Sequence, residues 1–188
     1  MKFSSMSKLE SAEMFAKTKH ASMTRKDGIT PYFTHLESVV SYLKSLGVTD
    51  EDVLCSGWLH DTIEDTDTTF DELYERFGKK VAVLVSTLSK DRKLPKKERE
   101  RLYVDQLKNA PLEAKIIKLC DISANLKDLA NSKISKNQKK KTVNQKLHYL
   151  KVIKNDITEN KSNYPKISNI INGINDVLVK NGQKPVII

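Results

Sequence analysis

Residues 50–66 read D-E-D-V-L-C-S-G-W-L-H-D-T-I-E-D-T. Val53, Leu54, Cys55 and Trp58 place apolar side chains almost all round the first turns, the pattern of a buried helix. At about 100° per residue, His60, Asp61, Glu64 and Asp65 share one arc of roughly 140°, with Leu59 and Ile63 on the other side. The stretch therefore predicts one helix from Asp50 to about Thr66 that projects an imidazole and three carboxylates into a common cavity. Burying carboxylates together is costly unless they pair or bind a cation. Residues 50–75 hold ten acids and no Lys or Arg, so no base close in sequence neutralises them. A divalent cation is the economical solution; the plainer alternative is a solvated acidic face beside a core histidine.

Outward from this stretch the periodicity stays helical. Residues 11–21 read as a first helix. A polar loop, MTRKDGITPY at 23–32, is punctuated by Gly28 and Pro31. The string T-H-L-E at 34–37 spells a capping box that would open a helix reaching about Leu46 and ended by Gly47. A second box, T-F-D-E at 69–72, opens a short helix closed by Gly78. Further helices are expected over 81–88, from Pro95 onward, and over 112–129, 135–160 and 165–180. Only 6 Gly and 5 Pro occur in 188 residues, too few for a chain of many short strands and tight turns. The expected fold class is all-α, a helical bundle of about eight or more helices. It is expected to form a single domain over 1–188, with 156–188 as a C-terminal helical extension.

Composition narrows the function. No apolar run approaches the roughly 18–20 residues of a membrane span, and the opening MKFSSMSKLE lacks a signal peptide's apolar stretch. Cys55 and Cys120 sit in apolar helical patterns, so buried thiols in a reducing cytoplasm are expected. Residues 1–94 carry 13 basic and 15 acidic side chains, and residues 95–188 carry 20 and 9. A basic half fits nucleic acid or a phosphorylated small molecule. Residues 133–154 hold eight Lys and no acid, read as a solvated helix face that could also steer an anionic substrate. His20 and His148 are expected to be peripheral, and Trp58 to lie in the core.

A second polar interruption stands at K-L-C-D-I-S-A-N, 118–125. Asp121 breaks the apolar run of Ile116, Ile117, Leu119, Cys120 and Ile122; Asn125 is one turn on and Lys118 nearly one turn back. Alone, such an Asp reads as an internal hydrogen-bond acceptor, and His35, beside Tyr32 and Phe33, is equally ambiguous. Together His35, His60, Asp61 and Asp121 make a set of two imidazoles and two carboxylates, which suits manganese, iron, cobalt or zinc better than calcium.

The order H…HD…D, as His35, His60-Asp61 and Asp121, resembles the HD superfamily of metal-dependent phosphohydrolases. The strings RKDGITPYFTH, WLHDTIEDTDTTFDEL and KLCDISANLKDL, within about residues 5–155, resemble the hydrolase domain of RelA/SpoT proteins, in the form of a stand-alone small alarmone hydrolase. The resemblance implies removal of the 3′-pyrophosphate of guanosine tetra- or pentaphosphate, (p)ppGpp. It further implies that His35, His60, Asp61 and Asp121 hold one Mn²⁺ and that Glu64 and Asp65 activate water and move protons. Arg25, Lys26 and Asn125 would bind the nucleotide. The family's tyrosine near the nucleotide falls on Gln145 without gaps, while Tyr149 lies one turn on, so either Gln145 or Tyr149 takes that substrate-binding position.

The chemistry is consistent with that implication. A divalent metal lowers the pKa of a bound water from about 15.7 towards 7 and screens phosphate oxygens. A neighbouring carboxylate can relay the proton when burial and like charge raise its pKa. Alternatives are a phosphatase acting on another nucleotide such as NADPH, or a non-catalytic nucleic-acid-binding protein on the same scaffold. The complete ligand and Glu-Asp set makes nucleic acid the weaker reading. The partner expected is a small nucleotide, in the cytoplasm, with no membrane.

Overall fold

The computed structural model describes residues 6–188, apart from the side chains at 130 and 131; the start of the segment read for a leader lies outside the described residues. Ser7 opens α1 (Lys8–Lys19) through a capping box with Glu10. After the 23–32 loop, pinned by an isolated bridge between Thr24 and Pro31, comes α2 (Phe33–Ser45). The box expected at 34–37 does not form. Tyr32 is already helical (φ −60°, ψ −35°), so Thr34 sits inside the first turn and its hydroxyl donates back to the Pro31 carbonyl at 2.9 Å.

The helix expected over 50–66 is two helices, α3 (Glu51–Leu59) and α4 (Thr62–Asp65). Asp50 caps α3 by accepting from the Asp52 and Val53 amides. At the break, side chains engage the carbonyls: His60 Nδ1 lies 2.8 Å from the Gly57 carbonyl and the Thr62 hydroxyl donates to that of Leu59 at 2.7 Å. The chain then turns again, with the Asp65 amide on the Asp61 carbonyl at 2.8 Å. His60 thus ends one helix and Asp61 begins the next.

Thr69 starts α5 (Phe70–Phe77) by accepting from the Glu72 amide at 3.1 Å. The Glu72 carboxylate turns instead to Lys19, 3.4 Å away. Gly78, at φ +82°, makes the corner into α6 (Lys79–Leu88), a conformation that side chains with a Cβ avoid. Then follow α7 (Lys96–Lys108), α8 (Leu112–Asn131), α9 (Lys136–Glu159), a 3₁₀ turn (Lys161–Asn163) and α10 (Ile167–Lys180). The described residues thus form ten α-helices and no strand, an all-α fold. No helix among them is long and apolar enough to cross a membrane.

Helix α8 is the axis of the bundle. Ile116, Ile117, Leu119, Cys120 and Ile122 have no solvent exposure, and α2, α3, α6, α9 and α10 all pack on it. From α10, Ile167, Ile170, Ile171, Ile174 and Leu178 are buried. Helix α3 lies among α1, α2 and α6; Trp58 is in the core, and both cysteines are buried free thiols. Gly57 permits the close approach of α3 to α2, because a Cβ there would stand 2.6 Å from Leu43 Cδ1 and 3.2 Å from Val40 Cγ2. The same closeness places His60 and His35 opposite one another. Gly57→Val is expected to destabilise the protein by about 1–3 kcal/mol through overpacking, read as a lower urea midpoint.

Candidate metal centre

Three segments converge at the inner end of α3. His35 comes from the first turn of α2, His60 from the break after α3, and Asp121 from the middle of α8. One donor atom from each lies within 4.8 Å of the other two. His35 Nε2 is 3.2 Å and His60 Nε2 3.8 Å from Asp121 Oδ1. Asp61 stands at the edge of the group, its Oδ2 3.1 Å from His60 Nε2 and 3.6 Å from His35 Nε2. His35, His60 and Asp121 are each at most 2% exposed.

The chemistry of this group is that of a cation site. The Nε2 atoms of both histidines are buried without a hydrogen-bond partner, an arrangement proteins avoid unless something else occupies the atoms' lone pairs. His60 Nδ1 faces the Gly57 carbonyl, so it carries the proton and leaves Nε2 free to ligate. Two neutral imidazoles and two carboxylates would balance a divalent ion's charge. Burial opposes a charge on His60, but Asp61, then Asp121, outweigh it and raise the ring to about 10. Burial likewise opposes the charge on Asp121, yet Lys118 and Lys146 hold it well below the usual carboxylate range.

A second layer fixes Asp61. The Tyr32 hydroxyl donates to Asp61 Oδ2 at 2.7 Å and lies 3.0 Å from Asp65 Oδ2. Burial and the two carboxylates raise the phenol's pKa, keeping it a donor. His20 stacks flat on Tyr32, centroids 4.9 Å apart and planes 7° apart. His20 is 2% exposed, so the peripheral position expected for it is corrected: the end of α1 folds it behind Tyr32. Burial and then Asp61 raise the pKa of Asp65, against the pull of Arg92, which pairs with it. Glu64 Oε2 accepts from the Lys90 amide at 3.1 Å. Glu64 and Asp65 open onto a groove of about 610 Å³ lined also by Lys90, Arg92 and Lys93.

Arg25 and Asn125 meet on another side, in a cavity of about 120 Å³ that also includes Lys26, Thr34 and Asp128. Arg25 donates to Asn125 Oδ1 and Asp128 Oδ2, both at 3.0 Å, and lies over the Tyr32 ring. Asn125 in turn donates to Asp121 Oδ1. Tyr149 does not join this cavity. It is fully buried, and its hydroxyl donates to Glu100 and accepts from Gln145. Helix α9 turns Tyr149 into the core, away from this cavity. Tyr32, Arg92 and Lys146 were missed from sequence. Lys146 carried a readable signal, since it lies three residues after Val143 and four before Leu150, on the buried stripe of α9.

The comparisons with known proteins fit this geometry. A family model described as HD domain matches residues 12–150. The chain belongs to the HD-domain family. HD domains are metal-dependent. This HD domain is 46% identical over 123 residues to the human guanosine-3′,5′-bis(diphosphate) 3′-pyrophosphohydrolase MESH1, covering 64% of this chain and 68% of the relative. It is 30% identical to the bifunctional (p)ppGpp synthase/hydrolase SpoT of Escherichia coli, covering 70% of this chain and 19% of that protein. Among solved structures, a metazoan ortholog of SpoT that hydrolyzes ppGpp aligns with a TM-score of 0.80 at 28% identity, covering 94% of this chain and 96% of that one.

Three outcomes are expected. Calorimetric titration with Mn²⁺ should show one ion per chain, lost in His35→Ala and Asp121→Ala. Because Asp61 and Asp121 favour the charged ring of His60 and only the neutral ring can ligate, binding should weaken as pH falls and release protons, seen as a dependence on buffer ionisation enthalpy. Tyr149→Phe should cost about 1 kcal/mol of stability with little change in KM, read by thermal melting and steady-state kinetics.

Proposed function

We infer that the chain is a metal-dependent hydrolase of the 3′-pyrophosphate of (p)ppGpp, giving GDP or GTP and pyrophosphate. The observation that carries this reading is the pair of buried, unpartnered imidazole nitrogens facing Asp121 and Asp61. They stand in a chain with close similarity to enzymes of that name. In this reading His35, His60, Asp61 and Asp121 hold one Mn²⁺ per chain. The bound ion supplies Lewis acidity that acidifies a water and screens the phosphate oxygens.

The remaining work falls to the chain's own side chains. Arg25, held by Asn125 and Asp128, presents a fixed guanidinium to the nucleotide, with Lys26 adding charge at the rim. Asn125 ties that pocket to Asp121. Asp65, whose carboxylate is raised by burial and by Asp61, is suited to take a proton from water and return it to the departing oxygen. Glu64 lies beside it, its carboxylate aimed by the Lys90 amide. The exposed lysines of α9, among them Lys136, Lys140 and Lys141, would draw a polyanion inward. We read residues 1–188 as one working unit, placed in the cytoplasm, where the free thiols Cys55 and Cys120 stay reduced.

Incubation of the purified protein with ppGpp and Mn²⁺ is expected to yield GDP and pyrophosphate by ion-exchange chromatography, and none with chelator. Asp61→Ala and His60→Ala should lose both turnover and metal, whereas Glu64→Ala should lose turnover and keep the metal. A fully active Asp61→Ala protein would refute the assignment. Release of orthophosphate from NADPH in place of pyrophosphate from ppGpp would favour the other nucleotide reading.

A further inference from the structure

The side of Asp121 that faces away from the imidazoles is lined with ammonium groups. Lys118 Nζ lies 2.8 Å and Lys146 Nζ 3.3 Å from Asp121 Oδ2, with side chains only 9% and 14% exposed. Lys90 Nζ comes to the same place from the segment after α6. It sits 4.8 Å from the Tyr103 ring centroid and 5.1 Å from that of Tyr149, and Lys118 Nζ lies over the same two rings at 5.3 and 5.5 Å. The carboxylate nearest Lys90 is Glu100, at 3.8 Å, which is already engaged by Tyr149 and Gln145.

One buried and two part-buried ammonium groups therefore share, within 4 Å, two carboxylates. Asp121 cannot serve them undiminished once its other oxygen faces a divalent ion. Charges taken out of water demand a partner, and aromatic faces compensate only part of the loss. A site holding the ion thus carries surplus positive charge on this side, next to the groove lined by Lys90, Arg92 and Lys93. The Arg25–Asn125 cavity lies on another side of Asp121, so the two positive regions are separate.

We propose that Lys90, Lys118 and Lys146 form an anion subsite that receives the phosphate groups released at the metal centre, while the nucleoside end lies in the Arg25–Asn125 cavity. The proposal rests on the hydrolase reading above for the identity of the anion, pyrophosphate. Three ammonium groups match a leaving group with two phosphates better than one with a single phosphate, so the subsite also favours a diphosphorylated 3′ end.

The test uses full-length protein loaded with one equivalent of Mn²⁺, titrated calorimetrically with inorganic phosphate and separately with GDP. Lys90→Met and Lys146→Met are expected to weaken phosphate binding about 10-fold or more, the scale of one lost charge-assisted contact. In Lys90→Met the GDP affinity, metal stoichiometry and circular dichroism spectrum should stay as in the parent, and Lys146→Arg should retain phosphate binding. Lys90 does not touch Asp121, so it tests the subsite even if Lys146→Met folds poorly. Unchanged phosphate affinity in Lys90→Met, or loss of metal from Lys146→Met without loss of phosphate binding, would overturn the proposal and leave the lysines as neutralising groups for Asp121. Phosphate binding is read without turnover. A protein inactive on ppGpp that still shows the lysine dependence would refute the hydrolase reading and leave the subsite standing.

Discussion

A carboxylate in the middle of the central helix is the constraint around which the rest is arranged. Asp121 is 2% exposed, flanked in sequence by Cys120 and Ile122, and an isolated charge there would cost several kcal/mol. The fold resolves this by giving each oxygen its own surroundings. Oδ1 meets His35, His60 and Asn125, while Oδ2 meets Lys118 and Lys146. The lysines keep the carboxylate ionised, and the ionised carboxylate keeps a cation site on its other side. Neither half is a reasonable core feature without the other.

That arrangement depends on packing at a distance. Gly57 lets α3 lie against α2, which brings His60 opposite His35, their rings 5.4 Å apart. The break between α3 and α4 then re-aims Asp61. In an unbroken helix Asp61 would lie about 100° from His60; here the turn brings its carboxylate within 3.1 Å of the His60 ring. Tyr32, held flat by His20, spans Asp61 and Asp65 and so links the group at the metal centre to the group suited to proton transfer. Loop, helix end and core helix each contribute one part, and the bundle's rigidity sets their spacing.

Which of this was legible in the sequence follows from the range of the forces involved. Helix existence, the order of helices and the burial of residues 53–59 could be read because they depend on local periodicity. The HDTIEDT string pointed to the family. The break at His60-Asp61 was not legible, since no Gly or Pro marks it and its cause is two side chains bonding backbone carbonyls, which depends on the packed environment. The box at 34–37 misled because Pro31 already presets the chain to turn. The surroundings of Tyr149 were not legible, because they depend on the long-range approach of α7, whose Glu100 engages its hydroxyl. Lys146 was hidden by its neighbours, since a run of exposed lysines masks the one that sits on the apolar stripe.

The position of Asn125 carries one consequence beyond geometry. It donates to Asp121 Oδ1 and to the Asp121 carbonyl while accepting from Arg25, so one amide joins the Arg25 cavity to the cluster of imidazoles and carboxylates. Arg25 is also held by Asp128, one turn after Asn125 on α8. A ligand that draws Arg25 toward itself must therefore adjust the amide, and with it the orientation of Asp121 toward the imidazoles. Groups that share a partner in this way do not contribute additively, and the atoms that position a metal ligand usually tune its affinity as well. Ligand occupancy of that cavity and cation affinity at Asp121 would in this sense be coupled through a single network, with Asn125 as the residue common to both.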